Sequence, residues 1–293
     1  MRTAALLIAA PGAGVLDARV AAAATRALAG EAAWLAEGDA LEIATDLEPA
    51  EAEQRLREVA GERPVDIAAV VSEGRRKRLL ISDMDSTMIT IECIDELADY
   101  AGIKAEIAAI TRRAMNGEIE FRGALVERVA LLGGLPVALI DEIIRERLRL
   151  MPGATTLVRT MRAKGARCVL VSGGFTAFTA FVRDRLGFHL DEANELETAG
   201  GVLTGRLAGE IRDASSKLDA LKRHTGELGA GPDAALAVGD GANDLPMILA
   251  AGMGVAFRAH PRVEAQAPLR IRHADLTALL YLQGYPQAEH VTG

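Results

Sequence analysis

A chain of 293 residues that is half hydrophobic yet holds one Trp, three Tyr and six Phe must build its core from Ala, Val, Ile and Leu. That is the apolar mass of helices packed on a buried sheet, in one to two domains. The formal net charge of −8 excludes nucleic acid and anionic membrane surfaces as partners held by charge, and no run reaches the roughly 18 apolar residues of a spanning helix.

Arg2 and the apolar stretch 4–10 loosely imitate a secretory signal, but Pro11-Gly12 breaks the run early. Residues 3–10 therefore read as a first strand, and the protein as cytoplasmic. An alanine-rich helix over 15–29, a strand over 40–44, a helix over 49–60 and a strand over 65–71 follow. Together they predict a small α+β unit over 1–73 without a catalytic constellation. Glu73-Gly74-Arg75-Arg76-Lys77-Arg78 reads as a solvated linker.

From residue 79 the pattern turns to β-then-α repetition. Apolar runs at 79–82, 168–171, 234–238 and 254–257 have the length of buried parallel strands, and helical patterns stand at 176–186, 217–227 and 244–250. This predicts an α/β fold with a Rossmann-like parallel sheet. An insertion over about 95–148 is helical by the spacing of Ile107, Ile110, Ala124, Leu125, Val129 and Leu132, and its place just beyond the first loop suits a lid. Residues 194–198 and 201–206 predict a hairpin turning on Gly200-Gly201. Cys93 and Cys168 lack metal or redox spacing and read as free thiols. His189, His224, His260, His273 and His290 show no H-E-x-x-H pattern and are expected at the surface.

The chemistry sits at four strand ends. The run Leu79-Leu80-Ile81-Ser82 closes in Asp83-Met84-Asp85-Ser86-Thr87, where two acids one residue apart can divide the work of nucleophile and general acid/base. Val169-Leu170-Val171 ends in Ser172-Gly173-Gly174, whose hydroxyl and backbone N–H groups suit a phosphoryl oxygen. Ala214-Ser215-Ser216-Lys217 opens a helix with a cation, and Leu236-Ala237-Val238 ends in Gly239-Asp240-Gly241-Ala242-Asn243-Asp244. Each cluster alone has an ordinary reading as a turn or a solvated charge. Their ordered combination points to catalysis on a phosphate.

These four motifs resemble those of the haloacid dehalogenase superfamily. Together with Glu92, Met115-Asn116-Gly117-Glu118, Phe121 and Glu127-Arg128-Val129, they resemble its phosphoserine phosphatases, from about residue 79 to 284. The resemblance implies a phosphatase domain over 74–293 with a helical cap, preceded over 1–73 by an ACT-like domain suited to regulation or to pairing with a second copy. It implies Mg²⁺ at Asp83, the Asp85 carbonyl and Asp240, with Asp244 orienting the ligands. Asp83 is then the nucleophile, Asp85 the acid/base, and Lys217 the counter-charge. Ser172, Gly173 and Asn243 are expected to hold the phosphoryl group. Glu92 is expected to take the substrate ammonium and Arg128 its carboxylate, with Met115 and Phe121 as the apolar wall. Phosphothreonine as substrate, phosphate transfer to homoserine, and a non-catalytic amino-acid sensor are the competing readings.

Overall fold

The computed structural model describes residues 2–115 and 118–292 and contains two sheets. The first is antiparallel in the order β2-β3-β1-β4. It is formed by β1 (Thr3–Ala9), β2 (Glu31–Ala36), β3 (Ala40–Thr45) and β4 (Val65–Val71), with helices α1 (Ala18–Leu28) and α2 (Pro49–Ala60) in the connections. Every residue of β1 is buried, because both of its faces are covered. Ala5, Leu7 and Ala9 pack with Leu28 and Leu56 of the two helices. Ala4, Leu6 and Ile8 join the main core, which also contains Tyr281 and Leu282 of the last helix. The β2 strand escapes sequence reading because it is an edge strand, with Glu31, Ala32 and Ala33 exposed and no alternation to betray it.

The second sheet has the order β11-β10-β9-β5-β6-β7-β8. Its strands are β5 (Leu79–Ser82), β6 (Arg167–Phe175), β7 (Leu190–Ala199), β8 (Val202–Ala208), β9 (Ala235–Gly239), β10 (Met253–Phe257) and β11 (Leu269–Ile271). All neighbouring pairs are parallel except the β7–β8 hairpin. Leu80 and Cys168 face a layer holding α7 (Ala154–Ala163) and α8 (Thr176–Leu186). Leu79, Ile81 and Val169 face α9 (Ala214–Glu227) and α10 (Leu245–Ala250). The chain leaves β5 for β6 on one side and later returns to β9 on the other. The crevice at the carboxyl ends of these three strands is thus a topological switch point, where open α/β sheets place ligands.

Between β5 and α7 stands the insertion: α3 (Cys93–Tyr100), α4 (Lys104–Met115), α5 (Phe121–Ala130) and α6 (Ala138–Glu146). It is stitched to β8 by main-chain hydrogen bonds, Gly134 N to Leu203 O (2.8 Å), Leu203 N to Leu135 O (2.9 Å) and Val137 N to Gly201 O (3.0 Å). The chain closes with α11 (Pro261–Glu264) and α12 (Ala278–Leu282). No helix among the described residues is long and apolar enough to cross a membrane.

The basic segment 75–78 is only in part the solvated linker expected of it, since Arg76 and Arg78 stay exposed while all four cations find partners. Arg75 makes a forked ion pair with Glu42 at 2.8 and 3.0 Å, both side chains 15% exposed. Arg76 lies 4.2 Å over the Tyr285 ring. Lys77 donates from Nζ to the Asp233 carbonyl, and Arg78 to the Leu228 carbonyl. A run of like charges is legible as solvated only until its partners, distant in sequence, are known.

Gly254 in β10 sets a close approach: a Cβ there would stand 1.9 Å from the Ile248 carbonyl oxygen. Backbone cannot yield as a side-chain tip can. Gly254→Ala is expected to cost about 3 kcal/mol or more in urea unfolding. Gly123→Ala, where nothing lies within 4 Å in the cap helix α5, should be neutral or stabilising by about 0.5–1 kcal/mol.

Candidate active site

β5 delivers Asp83 to the floor of the crevice, 6% exposed. Its N–H donates to the Val238 carbonyl of β9 (3.0 Å), which ties the first loop to the fourth. Its Oδ1 accepts from the Met84 N–H (2.8 Å) and from Lys217 Nζ (2.8 Å). Beyond Asp85 the chain turns at Ser86 with φ 53°. That turn brings the Ser86 hydroxyl to Glu92 (2.6 Å) and the Thr87 hydroxyl to Asp240 Oδ1 (3.0 Å).

Lys217 stands in the first turn of α9. Asp213 caps that helix through the N–H groups of Ser215 and Ser216, and Ser216 Oγ accepts the Asp213 N–H in return. The cap fixes where the lysine points. Its ammonium, 3% exposed, donates 2.6 Å to Asp244 as well as reaching Asp83. The other Asp244 oxygen accepts from the N–H groups of Asp240 (3.2 Å) and Gly241 (3.0 Å). Asp244 thus holds the glycine loop in shape while it orients the lysine. Gly239 is obligatory there, since a Cβ would meet Asp244 Cγ at 2.3 Å.

The second loop completes the floor. Ser172, 3% exposed, accepts the Gly174 N–H at 2.9 Å. A Cβ on Gly174 would stand 3.0 Å from Asp85 Oδ2 and 3.1 Å from Ser172 Oγ, and one on Gly173 would be 3.3 Å from Phe121 Cζ and 3.9 Å from Asn243 Nδ2. Phe121 and Asn243 thus flank Gly173, while Asp85 and Ser172 flank Gly174. From the cap, Arg128 is half-buried and Glu92 stands exposed at the mouth. Asn116 and Gly117 lie outside the described residues, as does the side chain of Met115, so the predicted methionine wall is not described.

Burial and the charges of Asp244 and Asp240 hold Asp83 well above the ordinary carboxylate value, against the pull of Lys217. Burial and Asp244 push Asp240 up to about 7. Burial and Glu92 push Asp85 to about 7 against hydrogen bonds from Cys93. Although Glu92 is exposed as a residue, the protein crowded around its carboxyl desolvates it and raises it, despite its bond from Ser86. Lys217 is pulled down by burial, but Asp244 and Asp83 more than offset this and leave it above its ordinary value. Anionic groups so crowded call for a further cation. Asp83, Asp240 and Asp244 present oxygens within 4.8 Å of one another, a group able to hold a metal ion. Asp85 Oδ1 is buried with no hydrogen-bond partner among the described residues. The donor set, all oxygen, fits a hard divalent cation.

Sequence reasoning assigned no role to Thr87, Asn194 or Arg122. Thr87 stands inside the first motif and was legible by spacing. Asn194 was not: 1% exposed in β7, it donates to the Gly173 carbonyl (2.9 Å) and accepts the Arg212 N–H (2.7 Å), so it fastens the second loop to the approach to α9. Arg122 of the cap donates to the Asp213 side chain (2.7 Å), the capping residue of α9. Glu127 turns away to pair with Arg113. The histidines are not all at the surface: His224 is 3% exposed, its Nε2 2.9 Å from Glu192 Oε1.

Residues 80–249 match the family model of the haloacid dehalogenase-like hydrolases. A phosphoserine phosphatase from Polaromonas sp. is 51% identical over 210 residues, covering 70% of this chain and 89% of that one. A longer relative, a phosphoserine phosphatase from Mycobacterium tuberculosis, is 43% identical over 80% of this chain, which spans 58% of its length. Among solved structures, a probable phosphoserine phosphatase from Vibrio cholerae, in unliganded form, has a TM-score of 0.77 at 32% identity, covering 98% of this chain and 88% of that one.

Behind Lys217, bonds from His224 and Arg223 hold the half-buried Glu192 at about 2, below its ordinary value of 4.5. Since the folded value is the lower, its stabilisation is full above about pH 4.5 and lost as pH falls towards about 2. The melting-temperature gap between wild type and Glu192→Gln should therefore be widest near neutral pH and close across that acid window.

Proposed function

The chain belongs to the haloacid dehalogenase-like hydrolases, and on that premise we propose that it is a Mg²⁺-dependent phosphatase of O-phospho-L-serine, releasing L-serine and phosphate in the last step of serine formation. The observation that carries this reading is the Asp83–Met84–Asp85 loop. One buried carboxylate is held in place by Lys217 and the Met84 N–H, and a second, two residues on, is pushed up to about 7 by burial and Glu92.

Asp83 attacks phosphorus in line, forming an aspartyl-phosphate as the P–O bond to serine breaks. The hydrogen bonds to its Oδ1 fix the carboxylate plane, so little reorientation is needed before attack. Asp85, neutral or ionised with similar ease near pH 7, protonates the departing serine oxygen. It then takes a proton from the water that hydrolyses the intermediate. The Ser172 hydroxyl and the Gly173 N–H stabilise the phosphoryl oxygens, with Asn243 beside them, and Lys217 offsets charge as the two anions meet. Mg²⁺, held by Asp83, Asp240 and the Asp85 carbonyl, would polarise the phosphoryl group when bound. Asp244 keeps these ligands and Lys217 oriented.

For the amino-acid end of the substrate, Glu92 offers its carboxylate to the ammonium. Arg128 offers a planar fork to the α-carboxylate. Burial lowers the Arg128 pKa, while Asp95 and Glu92 counter that effect. An incoming carboxylate supplies further compensating charge. Phe121, next to Gly173, shields the reacting centre from bulk water.

Asp83→Asn should abolish phosphate release from phosphoserine, because an amide is a poor nucleophile. Fluoroberyllate should add to Asp83 in the wild type. Full activity in the variant, or the adduct on Asp85, overturns the role assignment. On a panel of phosphorylated amino acids, phosphoserine should be the preferred substrate. A preference for phosphothreonine, or transfer to homoserine, would select a related enzyme, and no phosphate release would select a sensor.

Arg128→Ala and Glu92→Gln should lower kcat/KM for phosphoserine by about ten- to a hundredfold, the loss of a charge-assisted contact of about 1.5–3 kcal/mol. Hydrolysis of p-nitrophenyl phosphate, which has neither ammonium nor α-carboxylate, should hardly change. Equal losses on both substrates would make the two residues structural.

A further inference from the structure

The carboxylate of Asp66 is buried at the seam between the two sheets. It lies on β4, is 4% exposed, and accepts from three consecutive main-chain N–H groups of the other sheet's last loop. Oδ1 takes Arg272 N (2.7 Å) and His273 N (3.2 Å), and Oδ2 takes His273 N (3.1 Å) and Ala274 N (2.8 Å). A buried acid near the start of an apolar strand is costly unless it is saturated like this.

The loop so held carries strain for another residue. Arg258 has φ 46°, a left-handed conformation that a non-glycine residue keeps only when its surroundings impose it. Its N–H donates to the Ile271 carbonyl (2.7 Å) and its guanidinium to the Ala274 carbonyl (3.2 Å). Both carbonyls border the segment that Asp66 grips. Two residues on, the His260 N–H donates to the Asp240 carbonyl at 3.2 Å. A series of hydrogen bonds, joined by short stretches of backbone, thus runs from the Asp66 carboxylate in the N-terminal sheet to the Asp240 carbonyl in the crevice.

We propose that Asp66 is a positioning residue for the catalytic crevice, holding Asp240 in place through the 272–274 loop and the strained Arg258. Its effect on the metal rests on the proposed Mg²⁺ site, but its effect on the Asp240 backbone does not. With Asn in place of Asp66, one of the two oxygens becomes an NH2 that faces N–H groups instead of accepting from them, and the loop relaxes. The conformation of Arg258 is then no longer imposed, and the bond from His260 to Asp240 loosens. The N-terminal unit then contributes to the site by anchoring, with no ligand of its own required.

The test compares full-length wild type, Asp66→Asn and Arg75→Ala. Arg75 pairs with Glu42 across the same seam but has no such route to Asp240. Hydrogen exchange followed by mass spectrometry on peptides covering 258–260 is the first readout. Direct Mg²⁺ titration by calorimetry, well below each melting temperature, is the second. Asp66→Asn should speed exchange at 258–260 and weaken Mg²⁺ binding, each by about tenfold. Arg75→Ala should lower the melting temperature and leave both unchanged. If Asp66→Asn does not fold, Arg258→Ala, which removes the bond to Ala274, should give the same two changes. Unchanged exchange at 258–260 in the folded variant, or equal changes in Arg75→Ala, overturns the proposal. A wild type that binds no Mg²⁺ would remove the metal reading and leave the exchange comparison to decide this one.

Discussion

The Lys217 ammonium stands 2.8 Å from Asp83 and 2.6 Å from Asp244, almost fully buried, and the geometry of the crevice depends on it. Two carboxylates that close in a low dielectric repel strongly unless a cation is fixed between them. Here the cation arrives on the first turn of α9, one carboxylate on the end of β5 and the other after β9. One ion triad therefore sets the relative positions of three loops that are far apart in sequence. Breaking it from the lysine side would leave buried anions without a counter-charge, at a typical cost of about 3–5 kcal/mol. The triad is better understood as a device for position than as a source of net stability.

Position is also what the surrounding polar contacts supply. Asp213 caps α9 and so aims Lys217, and the same Asp213 receives Arg122 from the cap. Asn194 joins the Gly173 carbonyl to the segment that leads into α9. Two of the cap's attachments are unlike. Along β8 it is bound by main-chain hydrogen bonds, which do not exchange cheaply with water once packed. Near the crevice it is bound by the Arg122–Asp213 pair, whose arginine side chain is 58% exposed; such a pair makes and breaks readily. The cap is thus held more firmly along the hairpin than at the mouth of the crevice.

The crevice loops were legible because their information is local. Each is an apolar run of strand length followed at once by acids, hydroxyls or glycines, and no tertiary knowledge is needed to see Asp83, Asp85, Ser172, Lys217 or Asp240 as a set. The helices at 49–60 and 176–186 were equally plain, and the structure has them within those bounds. What stayed hidden depends on partners distant in sequence. Asp66, Asn194 and His224 are polar residues whose burial is decided by another segment's N–H, carbonyl or carboxylate. The cations at 75–78 looked solvated because Glu42, Tyr285 and the Asp233 carbonyl are dozens to hundreds of positions away. β11 has three residues, too few for any periodicity.

The N-terminal strand carries one more piece of this logic. In an antiparallel sheet with one solvated face, apolar and polar residues alternate. The run Thr3-Ala4-Ala5-Leu6-Leu7-Ile8-Ala9 does not alternate, and both faces of β1 are in fact covered. The cover on the second face includes α12, a helix of five residues, all buried. So short a helix has almost no stability of its own, since nucleation alone outweighs its few hydrogen bonds. It persists because β1 and its neighbours pack on it, while Gln283 receives the Lys77 N–H at 3.0 Å and Tyr285 lies under Arg76. The end of the chain is thus held by its beginning. The N-terminal sheet and the catalytic sheet share one continuous core, and a disturbance of either is felt by both.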